Sequence, residues 1–336
     1  MNHVRVVLVF LLLMAATIAT PQMTQSSHML VFDGENAMDY LVQQCDFGPR
    51  PPGSDNLTQC KTYIAATLES FGWNVTLQNF TYLEVECSNI IATWPNAEQP
   101  SYILGAHYDT RPRADRDPEP ANRMTPIIGA NDGASGVAIL LELASGLPAD
   151  VRESVEIVLF DAEDSGLING WNWIVGSTHY VNQLSSTRVS EIDAMILVDM
   201  VGDSDLRLER ETSSTRSLQD LIWSIAEDMG HNDTFLDVAG GSILDDHRPF
   251  LDAGVPSVDI IQHNGFPWYW HTLEDTPDKC SAESLQIVGE VVETFLIDYA
   301  NDNLTLPLDD DSLFYLSLLV VLVVVIVVVH LYLKRR

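Results

Sequence analysis

The sequence predicts an α/β fold in which helices cover a β-sheet on both faces, and three observations lead there. Short apolar runs of strand length alternate with longer runs of helical periodicity. Most of the strand-like runs end in a polar residue, as strands do where a sheet carries a site on one edge. Hydrophobic residues make up 46% of the chain, enough for a large core and too many for a disordered one.

Taken in order, residues 36–45 and 59–71 read as helices, the second closed by Gly72, and the strand-like run 74–80 follows. The runs 101–106, 155–160, 194–198 and 257–261 are β-rich. Helical periodicity marks 136–145, 217–229 and 282–299, and the Arg-, Pro- and Asp-rich run 110–125 reads as a loop. No internal repeat interrupts this pattern.

The ends address the chain. His3 and Arg5 precede an apolar run that turns polar after Ala19, the layout of a secretory signal over 1–19, with a retained anchor as the alternative. The uniformly apolar segment 313–333 is long enough, at about 1.5 Å per residue, to cross a bilayer core of about 30 Å. Asp309, Asp310 and Asp311 stand before it; Lys334, Arg335 and Arg336 follow, which puts the tail inside the cell and the remainder outside. The expected layout is a catalytic ectodomain over 30–300, an acidic stalk over 301–312, a single membrane span over 313–333 and a basic tail over 334–336 of a cell-membrane protein. In an oxidising compartment Cys45, Cys60, Cys87 and Cys280 are candidates for pairing, with three connectivities open. Asn56, Asn74, Asn79, Asn232 and Asn303 head glycosylation sequons. Acidic residues outnumber basic ones 48 to 17, and a net charge of −31 repels phosphate backbones and argues against nucleic acid as a partner.

Where the strand candidates stop, polar residues gather: His107 and Asp109, Glu163 and Asp164, and Asp199. Asp132 follows in an Asn-Asp-Gly turn, and Asp245, Asp246, His247 and His271 complete the set. Singly, each has an ordinary structural reading. Together they suit a divalent metal, above all zinc, because several acids buried unpaired would cost several kcal/mol each.

Seven strings in order carry a resemblance. After Gly-Pro-Arg-Pro-Pro-Gly-Ser at 48–54 and Asn-Ile-Ile-Ala-Thr at 89–93 come Gly-Ala-His-Tyr-Asp-Thr-Arg at 105–111 and Gly-Ala-Asn-Asp-Gly-Ala-Ser-Gly at 129–136. Phe-Asp-Ala-Glu-Asp-Ser-Gly at 160–166, Leu-Val-Asp-Met-Val-Gly at 197–202 and Asp-Asp-His-Arg-Pro-Phe at 245–250 precede a closing Trp-His-Thr-Leu-Glu-Asp-Thr at 270–276. The chain resembles metallopeptidase family 28, the zinc aminopeptidase-like proteins, and within it the glutaminyl cyclases of the bacterial branch. The resemblance implies a mixed, mostly parallel β-sheet sandwiched by α-helices. It implies that Asp132, Asp164 and His271 hold one zinc ion and that Glu163 shuttles a proton. In an aminopeptidase, His107 and Asp199 would add a second zinc, with Asp132 bridging. Asp164 stands where the aminopeptidases more usually carry Glu.

Hydrolysis needs an activated water, whereas cyclisation of an N-terminal glutamine uses the substrate's own α-amine, so one zinc and one proton carrier suffice. Asp245 matches the cyclases, in which it forms a carboxylate network with the residues matching Glu163 and Asp199. Phe266 and Trp270 match the aromatic wall of the cyclase pocket. A further pocket tryptophan corresponds to Trp171 or Trp173, between which spacing does not choose. The expectation is therefore a zinc-dependent glutaminyl-peptide cyclotransferase acting on peptide or protein N-termini, with a two-zinc aminopeptidase as the alternative. His271 should need an acceptor that fixes its tautomer, and the Glu274-Asp275 pair is near in sequence.

Overall fold

The computed structural model describes residues 29–299 together with Val325, Val327, His330 and Lys334. The segments read as signal, stalk and membrane span lie outside the described residues, apart from those four positions. Among the described residues no helix is long and apolar enough to cross a membrane.

Six strands form one sheet: β1 (Asn74–Tyr82), β2 (Val85–Thr93), β3 (Tyr102–His107), β4 (Val155–Phe160), β5 (Ala194–Asp199) and β8 (Ser257–Ile261), in the order β1-β2-β4-β3-β5-β8. The last four are parallel to one another, while β2 runs antiparallel to β1 and to β4. The sheet is thus mixed and mostly parallel. A parallel pair, β6 (Leu208–Glu211) and β7 (Phe235–Gly241), stands apart.

Helices α1 (Gly34–Asp46), α2 (Asp55–Ser70), α3 (Ser135–Gly146), α7 (Arg216–Asp228) and α9 (Ala282–Tyr299) carry the periodic segments of the sequence. Asp33 and Ser54 cap the first two by accepting from backbone N–H groups. Four shorter helices, α4 (Ala149–Arg152), α5 (Val175–Asn182), α6 (Ser186–Ser190) and α8 (Arg248–Ala253), were not foreshadowed. They have one to two turns, too few for a hydrophobic period to register.

The central strands are apolar throughout because each face is covered. Tyr102, Leu104 and Ala106 of β3 join Ile157, Leu159, Ile196 and Val198 in the core under α1, α3 and α9. Ile103 joins Val158, Phe160, Met195 and Leu197 on the other face, against Tyr180 and Phe250. Gly136 lets α3 lie directly on β5, since a Cβ there would stand 2.1 Å from the Val198 carbonyl oxygen. At the far pole, the Tyr102 hydroxyl donates to the Tyr299 carbonyl (2.8 Å), and the Val31 and Phe32 N–H groups donate to Glu293 of α9.

The four cysteines, candidates for pairing by compartment, are all free thiols. Cys45, Cys60 and Cys280 sit in the main core and Cys87 in a smaller cluster. Burial raises the thiol of Cys45 to about 12 and that of Cys60 to about 11, so they behave as small apolar side chains. Of the sequons described, Asn74, Asn79 and Asn232 are exposed, whereas the Asn56 amide donates to the Pro49 carbonyl (3.0 Å).

Candidate active site

The four parallel strands end along one edge. His107 pairs in register with Phe160, and Asp199 with Ile261, so the residues that follow each strand arrive at a common place. Ala162, Met200 and His271 adopt left-handed backbone conformations (φ 62°, 48° and 56°) beside or within the site, strain of the kind that collects where side chains must be aimed. Asp132 projects from the turn before α3, and Gly133 (φ 107°) is required there because a Cβ would meet the Asp109 carbonyl oxygen at 2.5 Å.

Two overlapping donor groups result, Asp132–Asp164–His271 and His107–Asp132–Asp199, each with one ligand atom per residue within 4.8 Å of the others. His271 Nε2 lies 3.4 Å from Asp132 and 3.2 Å from Asp164. His107 Nε2 lies 3.2 Å from Asp132 and 3.3 Å from Asp199. Asp164 Oδ2 and both His107 nitrogens are buried without a well-aligned hydrogen bond. Buried carboxylates and imidazoles converging with unspent lone pairs fit zinc, and three protein ligands leave a position open for substrate. Both donor sets fit a metal; the first is the one flanked by Glu163 and the aromatic wall.

The electrostatics follow from crowding. Burial alone would raise Asp132, but the His107 and His271 imidazoles beside it hold its carboxyl well below the usual range. Burial and then the charge of Asp132 push Asp164 up to about 6. Glu163 is raised well above the glutamate range, first by burial and then, against the pull of His107, by Asp245, Asp164 and Asp246. Asp245 is raised in the same way by burial, Asp199 and Asp246. Acids this close share protons rather than ionise together.

A pocket of about 270 Å³ encloses these groups, lined by Asp132, Glu163, Asp164, Asp199, Asp245 and His271 below and by Trp173, Phe266, Trp270, Ile243 and Leu244 around them. Trp270 stacks on His271 (3.6 Å between centroids) and on Phe266 (3.8 Å), and Trp173 lies parallel to His271 at 6.3 Å. Trp173 is thus the pocket tryptophan, while Trp171 packs against Tyr82 outside it. All the expected site residues except His107, which lies beneath Asp132 and Asp199, line one cavity. His247 does not join them: its ring faces Asp259 and Glu211, each at 3.4 Å, in the buried layer behind. Asp246 likewise turns to the Ser177 hydroxyl.

Several residues take supporting roles that the sequence did not assign to them. Asp109 accepts from the backbone N–H of Glu163 (3.0 Å) and of Asp164 (3.3 Å) and lies 3.4 Å from His107 Nδ1. The partner of His271 Nδ1 is Asp115 at 3.7 Å, not the Glu274-Asp275 pair. Arg111 grips Asp115 with two bonds and Asp164 with a third (3.2 Å), although both Arg111 and Asp115 come from the segment read as a plain loop. Asp275 instead accepts from the backbone N–H of Asn131 and of Asp132, fixing the turn that presents Asp132. The strong clustering of opposite charges at 111–117 was the signal that could have found the first pair.

Known proteins share this arrangement. The profile described as Peptidase family M28 matches residues 89–296. A mouse (Mus musculus) glutaminyl-peptide cyclotransferase-like protein is 27% identical over 74% of this chain and 72% of its own length. The crystal structure of Porphyromonas gingivalis glutaminyl cyclase superposes with a TM-score of 0.72 and 32% identity, covering 79% of this chain and 98% of that one. A leucine aminopeptidase precursor from Bacteroides thetaiotaomicron VPI-5482 gives a TM-score of 0.72 and 34% identity, covering 82% and 99%.

Proposed function

Because the chain belongs to peptidase family M28, we propose that it is a zinc-dependent glutaminyl-peptide cyclotransferase, converting the N-terminal glutamine of peptides to pyroglutamate with release of ammonia. The observation that carries this reading is the placement of Glu163 and Asp245 together in an aromatic-walled pocket beside the Asp132–Asp164–His271 group. Asp132, Asp164 and His271 would hold the zinc, which would supply Lewis acidity to the substrate's γ-carboxamide.

The remaining work falls to side chains. Trp173, Phe266 and Trp270 surround the glutamine side chain and keep water from competing with the α-amine. The bond from the α-nitrogen to the δ-carbon forms as the bond to the amide nitrogen breaks. One proton must pass from the first nitrogen to the second, which leaves as ammonia. Glu163 is placed to accept and return it, and its raised affinity suits both halves of that task. Asp245 keeps that affinity high, and together with Asp199, which lines the same pocket, it orients the carboxyl.

One observation favours the second reading. The His107–Asp132–Asp199 group offers a place for a second metal, as an aminopeptidase would use. The experiment is to give the purified full-length chain Gln-peptides and Leu- or Ala-peptides. Ammonia with pyroglutamyl product and one zinc per chain supports the cyclase; free amino acid without pyroglutamate, with two tightly bound zincs, replaces it with the aminopeptidase. The apolar segments 1–19 and 313–333 and the charges flanking the second support a proposal that the enzyme is exported and membrane-anchored, with its pocket outside the cell. Protection of the catalytic domain from added protease on intact cells would refute that orientation.

A further inference from the structure

The parallel pair β6–β7 stands beside the main sheet, and its strands end together where Glu211 pairs in register with Gly241. From Gly241 the chain runs directly into the catalytic pocket, where Ile243, Leu244 and Asp245 line the wall in succession. Residues 242–245 belong to no helix or strand, so no ladder of backbone hydrogen bonds holds the Asp245 carboxyl in place.

Glu211 grips this segment from behind. Its buried carboxylate accepts from the Ile243 N–H (3.1 Å) and from the N–H groups of Ser213 (3.0 Å) and Ser214 (2.6 Å). Both serine hydroxyls donate to it as well, at 2.7 and 2.8 Å. On the other side of Asp245, the fully buried His247 places Nε2 3.1 Å from Ser213 Oγ and 3.4 Å from Glu211 Oε2. The Ser213 hydroxyl spends its hydrogen on Glu211, so its oxygen can only accept, and His247 carries a proton on Nε2. Nδ1 faces Asp259 Oδ2 at 3.4 Å. Burial and then the charge of Asp245 raise Asp259 well above the carboxylate range, so it keeps a proton to offer that nitrogen. Asp245 is thus flanked on both sides, at Ile243 and at His247, by contacts to one carboxylate.

We propose that Glu211 and His247 are positioning residues, which together clamp the segment 243–247 and hold the Asp245 carboxyl in the pocket with Glu163 during proton transfer. Neither of them lines the pocket. The rings that would enclose the glutamine side chain, Trp173, Phe266 and Trp270, stand on other segments. Loosening the clamp should therefore cost turnover rather than substrate binding. A clamp that served the fold alone would lower Tm and leave the kcat of the folded protein untouched.

This inference rests on the cyclase reading, and the experiment separates the two. The full-length chain and its variants are given a Gln-peptide well below their Tm; kcat and KM are measured by ammonia release, and zinc content on the same samples. His247→Ala should lower kcat by roughly thirty- to a hundredfold, with KM within about threefold of the parent and zinc content equal to it. His247→Gln, whose amide nitrogen takes the place of Nε2 and reaches Glu211, should recover kcat to within about fivefold of the parent. His247→Asn, which reaches only Asp259, should stay as low as the alanine variant. Unchanged kcat in His247→Ala, equal recovery by Asn and Gln, a loss confined to KM, or loss of zinc overturns the proposal. Should His247→Ala not fold, Ser213→Ala removes one arm of the same contact and should lower kcat about three- to tenfold at unchanged KM; an unaltered kcat overturns it. Absence of ammonia with the parent protein overturns the cyclase reading instead, and the same ratios are then read from leucine release with a Leu-peptide.

Discussion

Replacing Asp109 by Asn removes one oxygen and puts an amide in its place, at a position where every neighbour is a donor. One Asp109 oxygen takes the Glu163 N–H at 3.0 Å and lies 3.4 Å from His107 Nδ1, and the other takes the Asp164 N–H at 3.3 Å. The Asn carbonyl can serve one side only, and its NH₂ then confronts an N–H on the other. Loss of a buried hydrogen bond to a charged acceptor costs about 1.5–3 kcal/mol. Against this, neutralising Asp109 relieves Asp161 and Asp246, whose proton affinities its charge helps to raise, by an amount on the order of 1 kcal/mol. The hydrogen-bond loss prevails, and Asp109→Asn should unfold in urea about 1–2 kcal/mol more easily. The effect on turnover should be larger, because the backbone of Glu163 and Asp164 loses its anchor and a misplacement of about 1 Å costs up to roughly a hundredfold. A variant that keeps its stability within about 0.5 kcal/mol, and its kcat within a factor of about two, would refute the idea that this carboxylate holds the catalytic segment.

Glu163→Gln should lower kcat by about 10²–10⁴ while the protein retains its zinc, read by turnover together with metal content. Burial, then Asp109, raises Asp161 to about 7, so the folded chain keeps a proton that the unfolded chain releases above about 4; this contribution to stability is present below that point and lost as pH rises through 7. Asp161→Asn has no such charge to acquire and should gain about 2 kcal/mol over the parent between pH 5 and pH 8 in urea titrations; equal slopes would sink the assignment. Gly136→Ala must push α3 off the Val198 carbonyl and should destabilise by about 3 kcal/mol, visible as a fall in Tm of several degrees; an unchanged Tm would mean that the close approach is not needed.

Much of this architecture was legible because it repeats a period. The strands Val155–Phe160 and Ser257–Ile261 and the helix Ala282–Tyr299 have the limits their hydrophobic patterns predict. The zinc-ligand candidates were legible because acids and histidines at the ends of buried strands are too costly to be accidental. What escaped depends on contacts distant in sequence. β2 pairs antiparallel between β1 and β4 and is buried on both faces over 87–90, and its polar positions Ser88 and Asn89 hide its strand character. Asn89 is buried because its amide donates to Gln78 and the Gly176 carbonyl and its oxygen accepts from the Asp161 N–H, partners no local window reveals. The choice of Trp173 over Trp171 was closed to spacing for the same reason, since a two-residue offset in an irregular loop sets no direction.

The contact of Tyr102 with Tyr299 lies at the start of β3, and the chemistry lies at its finish. Six extended residues, about 20 Å, separate the two. Glu293, accepting from the Val31 and Phe32 N–H groups, holds that early segment at the same end. Under the anchoring proposed above, the chain would leave the domain at the end of the sheet opposite the cavity, so that a membrane held there would not cover the site.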